Sequence, residues 1–297
     1  MIYVGGVPFS TGSDDSSSSQ LVGTDEATTC VGLIVRNPKS GMISVAHMDS
    51  PRIVEVGLTQ MLSSVLDQNS DTILDVHLIG GFNDVSHQHE NGVTESHEKL
   101  EGYSFPLCSK IVEILGKSIN KFNIQTLHVL GYNTRQDSEG NPYPIFNGFL
   151  VETATGSIFP ASFDGTTRCP DELVRRIRVT ASFEDPSCKG RLLETYDTQS
   201  DKFVIAPCAW TKRQVHIALS LQNLSDSEIL HMCSTSPFAE APDFVDNQRR
   251  QWEYVLEHPD WRETFPSKQP RIFERTADGS WVRHPVRPRG STFVYAK

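Results

Sequence analysis

Cys30 is the residue best placed to do chemistry. It follows the polar, hydroxyl-rich run Thr24-Asp25-Glu26-Ala27-Thr28-Thr29 and opens the apolar run Val31–Val35. A thiol at such a loop-to-strand junction has backbone N–H groups around it. Those donors would lower its pKa and later hold an oxyanion. His47 lies 17 residues downstream in a second apolar run, Met42–Met48. Between the runs stand Asn37-Pro38 and Gly41, the turn signals of an antiparallel hairpin. A hairpin in which position 37 faces position 40 also sets 30 opposite 47, with Cβ atoms roughly 4.5–5.5 Å apart. Cysteine and histidine so placed are a nucleophile and its base, the pair that attacks an amide or acyl carbon. Spacing alone leaves a second reading open, a buried cysteine beside a core histidine.

Other segments offer less. Cys108 and Cys233 fall in predicted helices, Cys208 follows a strand, and Cys169 and Cys188 lie in loops. None has a CxxC partner, so no zinc site is expected. His87, His89 and His97, with Glu90, Glu95 and Glu98, form a His/Glu cluster in a long polar loop. With no rigid scaffold in view, a solvated loop is the preferred reading over a metal site. Gly80-Gly81 lacks both phosphate-loop patterns and reads as a place where backbones approach closely. In Ser234–Pro242, two prolines fix an irregular connection that holds one acid, Glu240. It is either a substrate-binding rim, with Glu240 facing a cationic group, or a capping connection to the next helix.

The elements that must position these groups follow from periodicity. Residues 1–5 read as a short strand and 11–20 as a Ser-rich solvent loop. The hairpin carrying Cys30 and His47 comes next, with two largely buried strands. A helix runs from Arg52 to about Asp67, with Pro51 in its first turn. A strand at Ile73–Ile79 ends at Gly80-Gly81. A helix at Pro106–Lys121 and a strand at Ile124–Leu130 follow. This β-β-α-β-α-β order is that of a sheet with helices on one face. From 145 onward hairpins dominate: around Ala154-Thr155-Gly156, around Gln199-Ser200, and over residues 271–283. Helices are expected at Arg213–Leu221, Asp226–Met232 and Pro242–His258, with a capping box at Ser225 and Glu228. Residues 284–297 are basic and expected to be disordered. The expectation is one mixed α/β (α+β) domain over 1–283, with a helical C-terminal part.

Composition bounds the function. The chain has 297 residues and a formal charge of −10, with a pI near 5.5. Nucleic-acid and polybasic membrane binders are normally basic, so neither partner is expected. No run approaches the ~18 apolar residues of a membrane span. The start, MIYVGGVPFS, has no basic n-region and no long apolar stretch, so no secretory signal is expected. Six cysteines in such a chain read as reduced thiols. A monomer in the cytoplasm or nucleus is the expectation.

The motifs themselves carry a resemblance. GTDEATTC, SVAHMDS, VHLIGGFND and STSPFAEAPDFV resemble the eukaryotic protein N-terminal asparagine amidohydrolases, from about Tyr3 to Trp281. Against the animal members, the leader ahead of the strand matching Met1–Val4 is missing. The resemblance implies a Cys-dependent deamidase that converts N-terminal Asn to Asp and feeds degradation by the N-degron pathway. It also implies an α-β-β sandwich shared with Cys-His deamidases, the chemotaxis-receptor glutamine deamidases among them, and cytotoxic-necrotising-factor-type toxins. A looser pattern across those families is Thr, five residues, Cys, sixteen residues, His, which Thr24, Cys30 and His47 fit. By resemblance Cys30 is the nucleophile, His47 the base and Thr24 the orienting third member. The resemblance implies no metal and no cofactor.

The partner is then a protein or peptide with a free N-terminal Asn. Its α-ammonium needs an anion, with Glu240 the first candidate and Asp25 the second; Ser236 is a further substrate-binding candidate on the same rim. Two other activities fit the residues. Deamidation of internal Gln in a folded partner would need an open cleft in place of a pocket with an amine anchor. A non-catalytic binder of N-termini would have no use for the thiol.

Overall fold

Val31–Arg36 and Ile43–Met48 are apolar on both faces, the pattern of strands covered on two sides. The computed structural model describes residues 21–66, 72–85, 102–163, 169–188, 190–197, 200–276 and 280–284. The expected strand at 1–5, the Ser-rich loop, the His/Glu cluster and the basic end beyond His284 lie outside the described residues.

In chain order the strands are β1 (Leu21–Thr24), β2 (Val31–Arg36), β3 (Ile43–Met48), β4 (Leu74–Phe82), β5 (Phe122–Leu130), β6 (Thr134–Gln136) and β7 (Pro142–Pro144). They continue with β8 (Phe149–Glu152), β9 (Ile158–Pro160), β10 (Tyr196–Asp197), β11 (Lys202–Ile205), β12 (Arg271–Arg275) and β13 (Trp281–Arg283). The helices are α1 (Val54–Val65), α2 (Ser104–Lys117), α3 (Glu172–Ser182), α4 (Lys212–Leu221), α5 (Asp226–Cys233), α6 (Phe244–Glu257) and α7 (Trp261–Thr264).

A central sheet has the order β3-β2-β4-β5. Strand β2 is antiparallel to both neighbours, while β4 and β5 are parallel and joined through α2. One face buries Val31, Leu33, Ala46 and Met48 against Leu58 and Met61 of α1 and Ile111 of α2. The other face turns Ile34, Val45 and Ile79 toward Phe149 and Val151 of a second sheet, β1-β8-β9. The layers therefore run helices, sheet, sheet, an α-β-β order. A third sheet, β10-β11-β12-β13, shares its core with α3, α4, α6 and the following Phe265. The small β6-β7 pair completes the strands. Among the described residues, no helix is long and apolar enough to cross a membrane.

The structure corrects three expectations. First, the hairpin register pairs Gly32, not Cys30, with His47, and the ladder closes at Arg36↔Ile43. The cause is Asn37. Its buried side chain accepts Lys39 N–H at 3.0 Å and Ser40 N–H at 3.3 Å, and donates to Val65 O at 2.9 Å. That widens the loop and moves the pairing by two residues. A shift of two keeps every side chain on its face, whereas a shift of one would have inverted the sheet. Second, helix α3 stands between the two expected hairpins, in a stretch for which no element was expected. Its apolar Val174, Ile177 and Ala181 are interleaved with Arg175, Arg176 and Arg178, which hides the helical stripe. Third, the run before Cys30 begins at the end of strand β1, which pairs Thr24 with Phe149. The capping box at Ser225 and Glu228 is present as expected.

Candidate active site

Cys30 sits one residue before β2 on a loop fastened from several sides. Ala27 N–H donates to Asn147 O at 2.8 Å, and Gly81 N–H donates to Ala27 O at 3.3 Å. Ser104 Oγ, at the start of α2, reaches Thr29 O at 3.4 Å. The close approach expected at Gly80-Gly81 is here. Gly80 has φ 105°, and a Cβ on it would stand 2.7 Å from the Cys30 carbonyl oxygen. Only glycine tolerates both the angle and the contact.

His47 lies on β3, facing the second sheet. Its cross-strand partner is Gly32, where an added Cβ would meet the Phe149 ring at 2.2 Å. The missing side chain lets that ring pack over the strand pair. Thr24, at the end of β1, approaches from the second sheet, and its Oγ1 is 3.0 Å from His47 Nδ1. Both side chains are buried. Cys30 stands one residue outside the β2-β3 ladder, whose last pair is Val31↔Met48, and two positions before Gly32, the cross-strand partner of His47.

The electrostatics differ from the expectation of an acidic thiol. Burial pushes the Cys30 thiol up to about 12, and the charges of Asp49 and Glu240 add to that rise. Burial also pulls His47 down to about 4, against the opposing charges of Asp49 and Glu26. At Cys30 desolvation outweighs the hydrogen bond with the Thr29 side chain, and at His47 it outweighs the two carboxylates. The resting pair is a neutral thiol beside a neutral imidazole.

The two motifs that lie far apart in the chain meet around this pair. Ser236 Oγ donates to Thr28 Oγ1 at 3.0 Å, and the hydroxyls of Thr29 and Thr235 lie 2.7 Å apart. Ser236 N–H donates to Ser234 Oγ at 2.9 Å, and Ser234 in turn donates to Glu240. The helix α6 that follows takes no side-chain cap from this segment. The Ser234–Pro242 connection is thus fastened to the loop that leads into Cys30. Burial raises the Glu240 carboxyl above its usual range, which Ser234 partly counters. Asp25 contributes its carbonyl, which accepts from Thr24 Oγ1 at 3.4 Å. Its carboxylate is not among the charges that bear most on Cys30 or His47.

Sequence reasoning missed three groups. Glu26 has φ 59° and pairs with Arg176 Nη2 at 2.8 Å; Arg176 also holds Glu172 at 2.8 Å. Burial opposes the charged guanidinium, yet the two carboxylates hold it firmly ionised. This clamp ties α3 to the loop that leads into Cys30, and no local pattern announced it because α3 itself was not foreseen. The third group is Asp49. It follows His47 by two residues, and the correct register would have set it beside Cys30. Among the described residues, no three His, Cys, Asp or Glu side chains converge to hold a metal. All six cysteines are free; Cys108, Cys169 and Cys208 are buried.

The family model described as protein N-terminal asparagine amidohydrolase matches residues 1–283. A protein N-terminal asparagine amidohydrolase of Arabidopsis thaliana is 60% identical over 263 residues, covering 89% of this chain and 76% of the relative. The Mus musculus protein of the same name is 29% identical over 287 residues, covering 95% of this chain and 84% of its own. The Homo sapiens one is 28% identical over 286 residues, with coverage of 95% and 84%.

Proposed function

The chain belongs to the protein N-terminal asparagine amidohydrolase family, and from that premise we propose that it hydrolyses the side-chain amide of N-terminal Asn. The products are N-terminal Asp and ammonia. The observation that carries the reading is the buried Thr24–His47 hydrogen bond, with Cys30 two positions before Gly32, the cross-strand partner of His47. Thr24 donates onward to Asp25 O, which leaves its lone pairs to accept Nδ1–H of His47. That tautomer presents a bare Nε2 as the base.

The thiol is neutral at rest, so deprotonation accompanies attack. The Cys30 sulfur bonds the carboxamide carbon while His47 Nε2 takes the thiol proton. Backbone N–H groups at the Cys30 turn hold the oxyanion. His47 then delivers that proton to the departing nitrogen, the C–N bond breaks, and ammonia leaves a thioester on Cys30. Water attacks the thioester carbon and gives a proton to His47. The C–S bond breaks, His47 returns the proton to sulfur, and the side chain departs as a carboxylic acid. The balance is one water consumed and one ammonia released, with no cofactor.

Glu240, Asp25 and Ser236 belong to the substrate side of the site. Ser236 holds the rim on Thr28, and Glu240 forms an acidic wall near the thiol. Rejection of N-terminal Gln falls to the position of the thiol, since one methylene in apolar contact is worth only about 1–3 kcal/mol. The partners are proteins or peptides with free N-terminal Asn, and the product feeds N-degron degradation in the cytoplasm or nucleus. The enzyme acts as a monomer, with one amidohydrolase domain over 1–283. Incubation with matched Asn-, Gln- and Asp-starting peptides, followed by weighing the products, tests this reading. Conversion of the Asn peptide alone is expected, and an untouched Asn peptide would refute it.

A further inference from the structure

The amidase reading requires a device that tells a terminal Asn from an internal one, and the following inference rests on that reading. The α-ammonium is what differs between the two. Geometry limits where its counter-ion stands. Once the Cys30 sulfur meets the carboxamide carbon, the α-nitrogen is three bonds further on. The ammonium therefore lies within roughly 5 Å of the sulfur. A charge-assisted hydrogen bond adds about 2.7–2.9 Å to the anion's oxygen.

The strand register points to Asp49 for that position. Val31↔Met48 is the last pair of the β2-β3 ladder, and the next positions outward are Cys30 and Asp49. Directly opposed residues carry Cβ atoms about 4.5–5.5 Å apart and point to the same face. That face is the one His47 occupies, because Val31 and Met48 turn to the helical core. Asp49 Oδ1 is closed off from solvent, so its field is little screened. The field is felt at both reacting groups, since Asp49 raises the proton affinity of Cys30 and of His47. The other charges around the pair are Glu240 facing Cys30, and Glu26 and Arg175 facing His47.

We propose that Asp49 is the counter-ion of the substrate's α-ammonium. A free N-terminus docks its ammonium on Asp49 and its carboxamide on Cys30 together. An acylated or internal Asn has no cation to offer, so it desolvates the site without gaining the ion pair. The site thereby reads the terminus through a residue two positions beyond the base, on the strand that carries the base.

The test is binding to the Cys30→Ala protein, in which no turnover occurs. Calorimetry compares one Asn-starting peptide with its free amine and with the amine acetylated. Acetylation is expected to weaken binding about 10²-fold or more, the scale of losing one partner of a buried charge pair. Adding Asp49→Asn should weaken the free peptide alone and bring the ratio close to one. Asp49→Glu should restore part of the preference, and Glu240→Gln should leave most of it. A Cys30→Ala/Asp49→Asn protein with an unchanged melting temperature and an unchanged free-to-acetylated ratio would overturn the proposal. So would a melting temperature lowered by Asp49→Asn with no recovery of preference in Asp49→Glu. Wild-type protein that binds free Asn termini through Asp49 yet releases no ammonia would refute the amidase reading and leave the Asp49 assignment standing.

Discussion

Thr24 Oγ1 lies 3.0 Å from His47 Nδ1, a contact that spans the two sheets of the sandwich. It joins the end of a strand in one layer to His47 in the other, so the orientation of the imidazole depends on how the layers stack. Phe149, buried between them and pressed onto Gly32, sets that stacking. Sheet packing and the direction of Nε2 are one structural fact.

That contact ranks the roles of the two residues. His47→Ala removes the base and acid of every step, and general acid–base transfer is typically worth about 10²–10⁴-fold. Thr24→Ala removes one hydrogen bond that fixes the ring, and should cost about 10-fold. Thr24→Ser should recover most of the rate. Steady-state kcat/KM for an Asn peptide checks this, and equal losses in the two alanine variants would contradict the ranking.

His47 also links activity and stability to pH. Its folded value is about 4, below the ordinary 6.5, chiefly through burial. As pH falls through 6.5 the unfolded chain takes up a proton, while the native protein refuses it until about 4. Stability is therefore lost as pH drops across that window, by ~3 kcal/mol in order of magnitude for this group. Denaturant melts at about pH 7 and about pH 5 should show the loss, and His47→Gln should reduce it. The acid limb of kcat/KM should fall near pH 4. A limb near 6.5, with the same pH slope of stability in His47→Gln, would contradict the buried-neutral assignment.

Gly80 and Gly41 offer a matched pair of substitutions. Both have positive φ, 105° and 75°, but only Gly80 has neighbours that an added Cβ would strike. Gly41→Ala meets open space and should cost about 1 kcal/mol of backbone strain. Gly80→Ala presses on the Cys30 carbonyl and Ala27, so it should destabilise more and lower the rate besides. Melting temperatures and kcat/KM for the two variants decide this. Wild-type turnover in Gly80→Ala would show that the loop is not held by that approach.

How much of this was legible in the sequence follows from range. The β2-β3 hairpin and the α1 and α2 crossings are local patterns, and their elements read correctly. The register was out by two residues because the Asn37 turn is fixed partly by Val65 O, a contact outside the hairpin. That error hid Asp49. Helix α3 escaped because its buried arginines break the apolar stripe; their partners, Glu26 among them, lie far away in the chain. The thiol was expected to be acidic from its nearby donors. Burial, which no local window contains, reversed the sign.

The central claim is that the Cys30 sulfur carries the reaction. The most direct measurement is kcat/KM of the Cys30→Ala protein on an Asn-starting peptide, with the melting temperature confirming its fold. The thioester route predicts no detectable Asp product, because removing the sulfur leaves no atom to bond the carboxamide carbon. Turnover at the wild-type rate by that variant would contradict it.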